Sequence, residues 1–132
     1  ADHGINYLTD SDWGLTAHNL ADGLGVHAIL EVGGSGTLPQ SIAALRRGGH
    51  INIIGYFAGI EVGLNVFHLI ERNAHVHGLS VGNRASFEAM LAFCAEHELR
   101  PVIDSSYEFT DAAKAIEALP QNNHFGKIVV SF

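Results

Sequence analysis

The chain of 132 residues is long enough for one domain with its own core and too short for two full ones. Its 14 acidic against 7 basic residues leave a net charge of −7, which repels phosphate backbones and sets nucleic acid aside as a partner. One cysteine excludes an internal disulfide, and no apolar run reaches the roughly 18 residues of a bilayer span, so a reducing, cytoplasmic setting without a membrane partner is expected.

The opening Ala1-Asp2-His3-Gly4 has no initiator Met, and residues 1–12 lack the basic end and apolar centre of a signal peptide. A piece of a longer protein is the expectation. Ile5-Asn6-Tyr7-Leu8 alternates and predicts a short strand. Thr9-Asp10-Ser11-Asp12 offers capping oxygens to a helix whose Trp13, Ala17 and Leu20 share one face, ended by Gly23 and Gly25. Ala28 to Val32 is an apolar strand running into Gly33-Gly34-Ser35-Gly36. A helix from Thr37 to Arg47 follows, with Leu38, Ile42 and Leu45 on one face and Gly48-Gly49 as its stop. The second strand, His50 to Gly55, ends in glycine like the first.

Beyond a loop from Tyr56 to Gly63, a helix is expected from Asn65 to Arg72 and a third strand from His75 to Val81. Phe87, Met90, Leu91 and Cys94 mark an amphipathic helix, and Pro101-Val102-Ile103 is extended. Asp104-Ser105-Ser106 reads as a turn. Thr110-Asp111 caps a last helix that Pro120 breaks, before a closing strand from Lys127 to Phe132. This alternation predicts an α/β fold whose mainly parallel sheet is covered on both faces. Ligands bind at the carboxyl ends of such strands, which draws attention to the glycines after the first two.

Gly34 to Pro39 nearly matches the dinucleotide fingerprint G-x-G-x-x-G, but Pro39 stands at its third glycine and the nearest acid, Glu61, sits in a loop. It reads as an ordinary strand-to-helix turn. His75-x-His77 places two imidazoles on one strand face; with no cysteine or acid nearby in sequence to complete a tetrahedral set, no metal site is expected. Cys94 and His97 could pair as nucleophile and base, yet Cys94 lies on the apolar stripe and reads as core. No G-x-S-x-G elbow supports a nucleophilic role for Ser105 or Ser106. No catalytic residue is assigned.

In order along the chain, Ala1-Asp2-His3-Gly4-Ile5-Asn6-Tyr7, Glu31-Val32-Gly33-Gly34, Gly48-Gly49-His50-Ile51 and His124-Phe125-Gly126-Lys127-Ile128-Val129-Val130 resemble the cofactor-binding domain of the medium-chain dehydrogenases/reductases, the zinc-type alcohol dehydrogenase and quinone oxidoreductase group. The resemblance covers essentially the whole chain. It implies one partial Rossmann domain over residues 1–132, doubly wound with helices on both faces. Its first two strands, their pyrophosphate loop and a separate N-terminal catalytic domain are expected to be absent, with Ala1 to Tyr7 forming the approach to, and the body of, the third strand.

By the same resemblance, Gly33 and Gly34 lie beside the nicotinamide ribose, while Ile54, Gly55 and Tyr56 present backbone to the nicotinamide and its ribose. Val81 and Gly82 offer backbone groups to the carboxamide, and Arg84 and Lys127 are the cationic candidates for cofactor phosphate or nearby polar contacts, with a solvated surface charge as the equal alternative for each. NAD or NADP is implied as the cofactor of the full-length parent, with zinc possible in the absent domain and neither expected on this chain. The implied activity is hydride transfer between nicotinamide and an alcohol, aldehyde, ketone or quinone, silent in the isolated chain. A homodimer through the His75–Val81 edge strand is implied as well. The alternative is a stand-alone α/β binding or interaction module without catalysis.

Overall fold

The computed structural model describes residues 1–121 and 123–132, which form two compact units, Ala1–Val81 and Gly82–Phe132. The first begins with α1 (Trp13–Leu20) and continues with β1 (Val26–Glu31), α2 (Leu38–Ala44), β2 (Leu45–Ile53), α3 (Val66–Arg72) and β3 (His75–Gly78). Its three strands form one parallel sheet in the order β1-β2-β3. Strand periodicity sends Ile29, Ile51 and Ile53 to the same face, where they meet Leu38, Ile42 and Leu45. Leu45 and Ile51 are fully buried, each worth roughly 1.5–3 kcal/mol relative to exposure. The opposite face is open: His50, His75 and His77 are exposed, and Leu30 remains 69% exposed.

Three local expectations change. Ile5-Asn6-Tyr7 forms no strand, because no neighbouring strand pairs with it. Asn6 instead organises a turn: its carbonyl accepts from the Thr9 and Asp10 amides, and its side chain from the Leu8 amide. α2 ends at Ala44, since Leu45 is already extended at ψ 137°. Gly48-Gly49 therefore stops no helix. It lies within an irregularity of β2, where the register passes from Val26–Leu45 to Ala28–His50. Gly48 takes a φ of 73°, which its lack of Cβ permits. Finally, β3 stops at Gly78, so Leu79, Ser80 and Val81 lie outside the strand.

The second unit comprises α4 (Arg84–Glu96), β4 (Ile103–Glu108), α5 (Ala112–Ala118) and β5 (Lys127–Ser131). Asn83 caps α4 by accepting from the Ser86 amide. β4 and β5 form a parallel pair in which Ser105, Ser106 and Tyr107 oppose Ile128, Val129 and Val130. The expected turn at Asp104–Ser106 is thus strand, and Asp104 accepts from the Phe125 amide at 3.0 Å. Cys94 is partly exposed, and Phe87, Met90 and Leu91 are about half exposed rather than core. His97 stacks on Phe93 and donates to its carbonyl rather than engaging Cys94.

Glu31, at the end of β1, is only 2% exposed. One carboxylate oxygen accepts from the Gly33 and Gly34 amides at 2.8 and 3.0 Å and from the Thr37 hydroxyl; the other accepts from Ser41 on α2. Burial pushes this carboxyl up, but the bonds from Ser41, Thr37, Gly34 and Gly33 together outweigh it and hold the group below the ordinary carboxylate range. A lowered folded pKa means that the stabilisation is complete above the unfolded value near 4.5 and is lost as pH falls through the folded value. Glu31→Gln should lower stability by about 2–3 kcal/mol at neutral pH, since bonds to a charged acceptor are lost and an amide faces four donors. Urea unfolding followed from neutral to acid pH should show the difference between the two chains shrinking below pH 4.5; a constant difference would contradict this role for the carboxylate.

Candidate cofactor-binding site

The carboxyl ends of β1 and β2 lead into two turns that are bonded to each other. From the second turn, the Phe57 and Ala58 amides donate to the Val32 and Gly33 carbonyls at 3.3 and 2.7 Å. In return, the Ser35 amide donates to the Gly59 carbonyl at 3.0 Å, and its hydroxyl to the Ala58 carbonyl at 2.8 Å. The Ile54 and Gly55 amides both reach the Glu31 carbonyl, at 2.8 and 3.2 Å. Gly33, Gly34, Ile54, Gly55 and Tyr56 are thereby gathered into one construction.

Its glycines serve the chain's own packing. Gly34 has a φ of 77°, and a Cβ there would lie 2.4 Å from the Gly59 carbonyl oxygen and 2.8 Å from Tyr56 Cα. A Cβ on Gly55 would come within 2.6 Å of the Val32 carbonyl oxygen. These residues are glycine so that two turns can meet, whatever else approaches them. The near-fingerprint from Gly34 is equally occupied. Gly33 and Gly34 spend their amides on Glu31, Ser35 on Gly59 and Thr37 on the Gly34 carbonyl. A pyrophosphate would meet a carboxylate in place of free N–H donors. Outside this lock, the two turns present exposed apolar side chains: Val32, Ile54, Tyr56 and Phe57, the last 94% exposed.

The remaining expected residues belong to other segments of the chain. Val81, in the first unit, is exposed beyond the end of β3. Gly82, Arg84 and Lys127 belong to the second unit. Gly82 stands two residues before α4, and a Cβ there would come within 3.1 Å of Ser86. Arg84 donates to Glu88 at 2.7 Å in an exposed i,i+4 pair, and Lys127 is exposed at the start of β5. A cleft of about 380 Å³ opens elsewhere in the first unit, lined by Pro39, Ile42, Leu64, Asn65, His68 and Arg72, and it contains none of the expected cofactor residues.

Two groups escaped the sequence reading. Glu31 had a signal, an acid at the end of an apolar strand directly before a glycine turn and a helix carrying Thr37 and Ser41. His50 had none, because its neighbours His75 and His77 are remote in sequence and adjacent only through the β2–β3 register. Among the described residues, these three histidines form the group of possible metal-ligating side chains that comes together.

A family model described as zinc-binding dehydrogenase matches residues 1–130. A zinc-type alcohol dehydrogenase-like protein of Schizosaccharomyces pombe is 36% identical over 98% of this chain and 39% of its own length. A second protein so described, from Leptosphaeria maculans, is 29% identical over 96% of this chain and 37% of its own. The chain thus spans under two fifths of the length of these relatives. The crystal structure of an NAD-dependent alcohol dehydrogenase superimposes with a TM-score of 0.89 at 28% identity, over 100% of this chain and 38% of that one. The relatives are oxidoreductases of the alcohol dehydrogenase type, and the arrangement of parallel strands and helices is part of their Rossmann-like fold. On the match over residues 1–130 and the agreement in fold, the chain belongs to the zinc-binding dehydrogenase family, among the medium-chain dehydrogenases/reductases.

Proposed function

We propose that the turns after β1 and β2 form one wall of a nicotinamide crevice in an NAD(P)-dependent oxidoreductase, in which hydride passes between the nicotinamide and an alcohol, aldehyde, ketone or quinone. The observation that carries this reading is the cross-bonded pair of turns with Val32, Ile54, Tyr56 and Phe57 exposed beside it. A flat nicotinamide ring suits such a surface, and a hydride acceptor gains from a wall that sheds water. The cofactor supplies the hydride chemistry; these residues bind, orient and exclude solvent. Backbone at Ile54, Gly55, Tyr56 and Val81 would meet the nicotinamide and its carboxamide. On this reading a zinc ion of the parent enzyme, where it has one, belongs to a separate catalytic domain and not to these residues.

Taken alone, the chain should hold the nicotinamide end weakly and the whole dinucleotide no better, because Glu31 already occupies the amides of the near-fingerprint at Gly34. Reduced nicotinamide mononucleotide at millimolar concentration should shift the amide NMR signals of Gly34, Gly55 and Tyr56, while NADH fluorescence should show no saturation below millimolar. Micromolar saturation by NADH, or shifts confined to other residues, would overturn the proposal.

The reading includes a homodimer through the edge of β3. The Leu79 amide donates to the Ile53 carbonyl at 2.8 Å, so strand alternation turns the His75 and His77 amides towards β2 and those of Val76 and Gly78 outward. Proline at Leu79 would break the sheet internally, whereas Val76→Pro removes an outward donor alone. Light scattering should show a dimer for the unmodified chain and a shift towards monomer for Val76→Pro. A monomer at high concentration for the unmodified chain would contradict it.

A further inference from the structure

β2 and β3 are in parallel register with His50 opposite His75 and Asn52 opposite His77. Residues two apart on a strand share a face, so all three imidazoles stand on the open face of the sheet, opposite the one where Ile51 is buried. They form a stack. The ring centroids of His50 and His75 are 4.6 Å apart, those of His50 and His77 5.6 Å, and those of His75 and His77 6.4 Å, with interplanar angles of 15°, 14° and 7°. His50 Nδ1 and His77 Nε2 are 3.4 Å apart. One of these nitrogens must accept if the other donates, so the contact needs at least one neutral ring. Among the described residues, no carboxylate, hydroxyl or carbonyl bonds any of the three rings, and the His50–His77 contact is the one polar contact recorded for them.

From this arrangement we propose that His50, His75 and His77 form a binding site for a borderline divalent transition ion of the zinc class. One ligating nitrogen from each lies within 4.8 Å of the other two. Tetrahedral ligands at the usual Zn–N length sit about 3.3 Å from one another, which the His50–His77 separation of 3.4 Å already matches. His75 must close the remaining gap and the stacked rings must tilt until their lone pairs converge. Exposed imidazoles can do so, because their ring torsion has a broad minimum. Three imidazoles without a carboxylate select zinc or cobalt over magnesium or calcium. Three ligands leave a fourth position to water or another donor. The chain's net charge of −7 favours cation approach. No residue of the proposed nicotinamide wall takes part, so this site stands independently of that wall.

The full 132-residue chain, stripped with chelator and titrated with Zn(II) against a chromophoric competitor, should bind one equivalent in the micromolar range. Co(II) should give the visible absorption of a low-coordinate nitrogen site. His50→Gln and His77→Gln should each weaken Zn(II) binding at least about tenfold, with circular dichroism reporting that each variant folds. His97→Gln, at the C-cap of α4, should change nothing. Independently of any variant, the imidazole NMR signals of His50, His75 and His77 should move together on adding Zn(II). The proposal is overturned by binding no tighter than millimolar, by equal effects of His97→Gln and His50→Gln, or by NMR shifts at other histidines only.

Discussion

The Glu31 carboxylate is the interaction on which the rest of the first unit depends. A parallel strand ends with its backbone groups aimed at solvent, and the following helix begins with unsatisfied amides. One buried anion ties the strand end to the helix through the turn between them. It collects two turn amides, the Thr37 hydroxyl and the Ser41 hydroxyl, fixing the exit of β1 and the start of α2 in a single step. α2 then lays Leu38 and Ile42 over Ile51, and β2 takes its register from β1. Burying such a charge without its donors would cost several kcal/mol. With them, the cost becomes directional: only a turn that brings all four donors inward is tolerated. Gly34 enters this turn at a positive φ, while its missing Cβ leaves room for the Gly59 carbonyl and Tyr56.

Backbone-built sites carry weak sequence signals. Gly33, Gly34 and Gly55 were noticed as glycines at strand ends, and the structure brings them together. Their reason for being glycine, however, is the contact between the two turns, which no single window of sequence displays. Strand alternation and helix periodicity located β1, α3, α4 and β5 to within a few residues because each element's pattern is local. They misjudged Ile5–Tyr7, because a strand exists only with a partner to accept its hydrogen bonds. They misjudged Gly48-Gly49 as well: two glycines read as a helix stop, whereas packing of Leu45 as an extended residue ended α2 earlier.

The histidines illustrate the same limit in reverse. His75 and His77 looked like an incomplete pair, and within their own segment they are one. The third ring arrives through sheet register, with 24 residues between His50 and His75 in the chain and none between them across the ladder. Register converts remote residues into neighbours on one face, and a search confined to linear spacing cannot find such a set. The apolar half of the same alternation, by contrast, was easily read, since Ile51 and Ile53 announce a buried face without reference to any partner.

The contacts of Glu31 also bear on how the chain folds. Its four donors lie two, three, six and ten residues along the sequence. Loops this short cost little chain entropy to close, whereas pairing β2 with β3 must join residues 25 apart. The strand–turn–helix around Glu31 is therefore among the first structures the chain can complete on entropic grounds. A weakened carboxylate contact at this position acts on the folding rate as well as on the final balance, and leaves the growing sheet without its template.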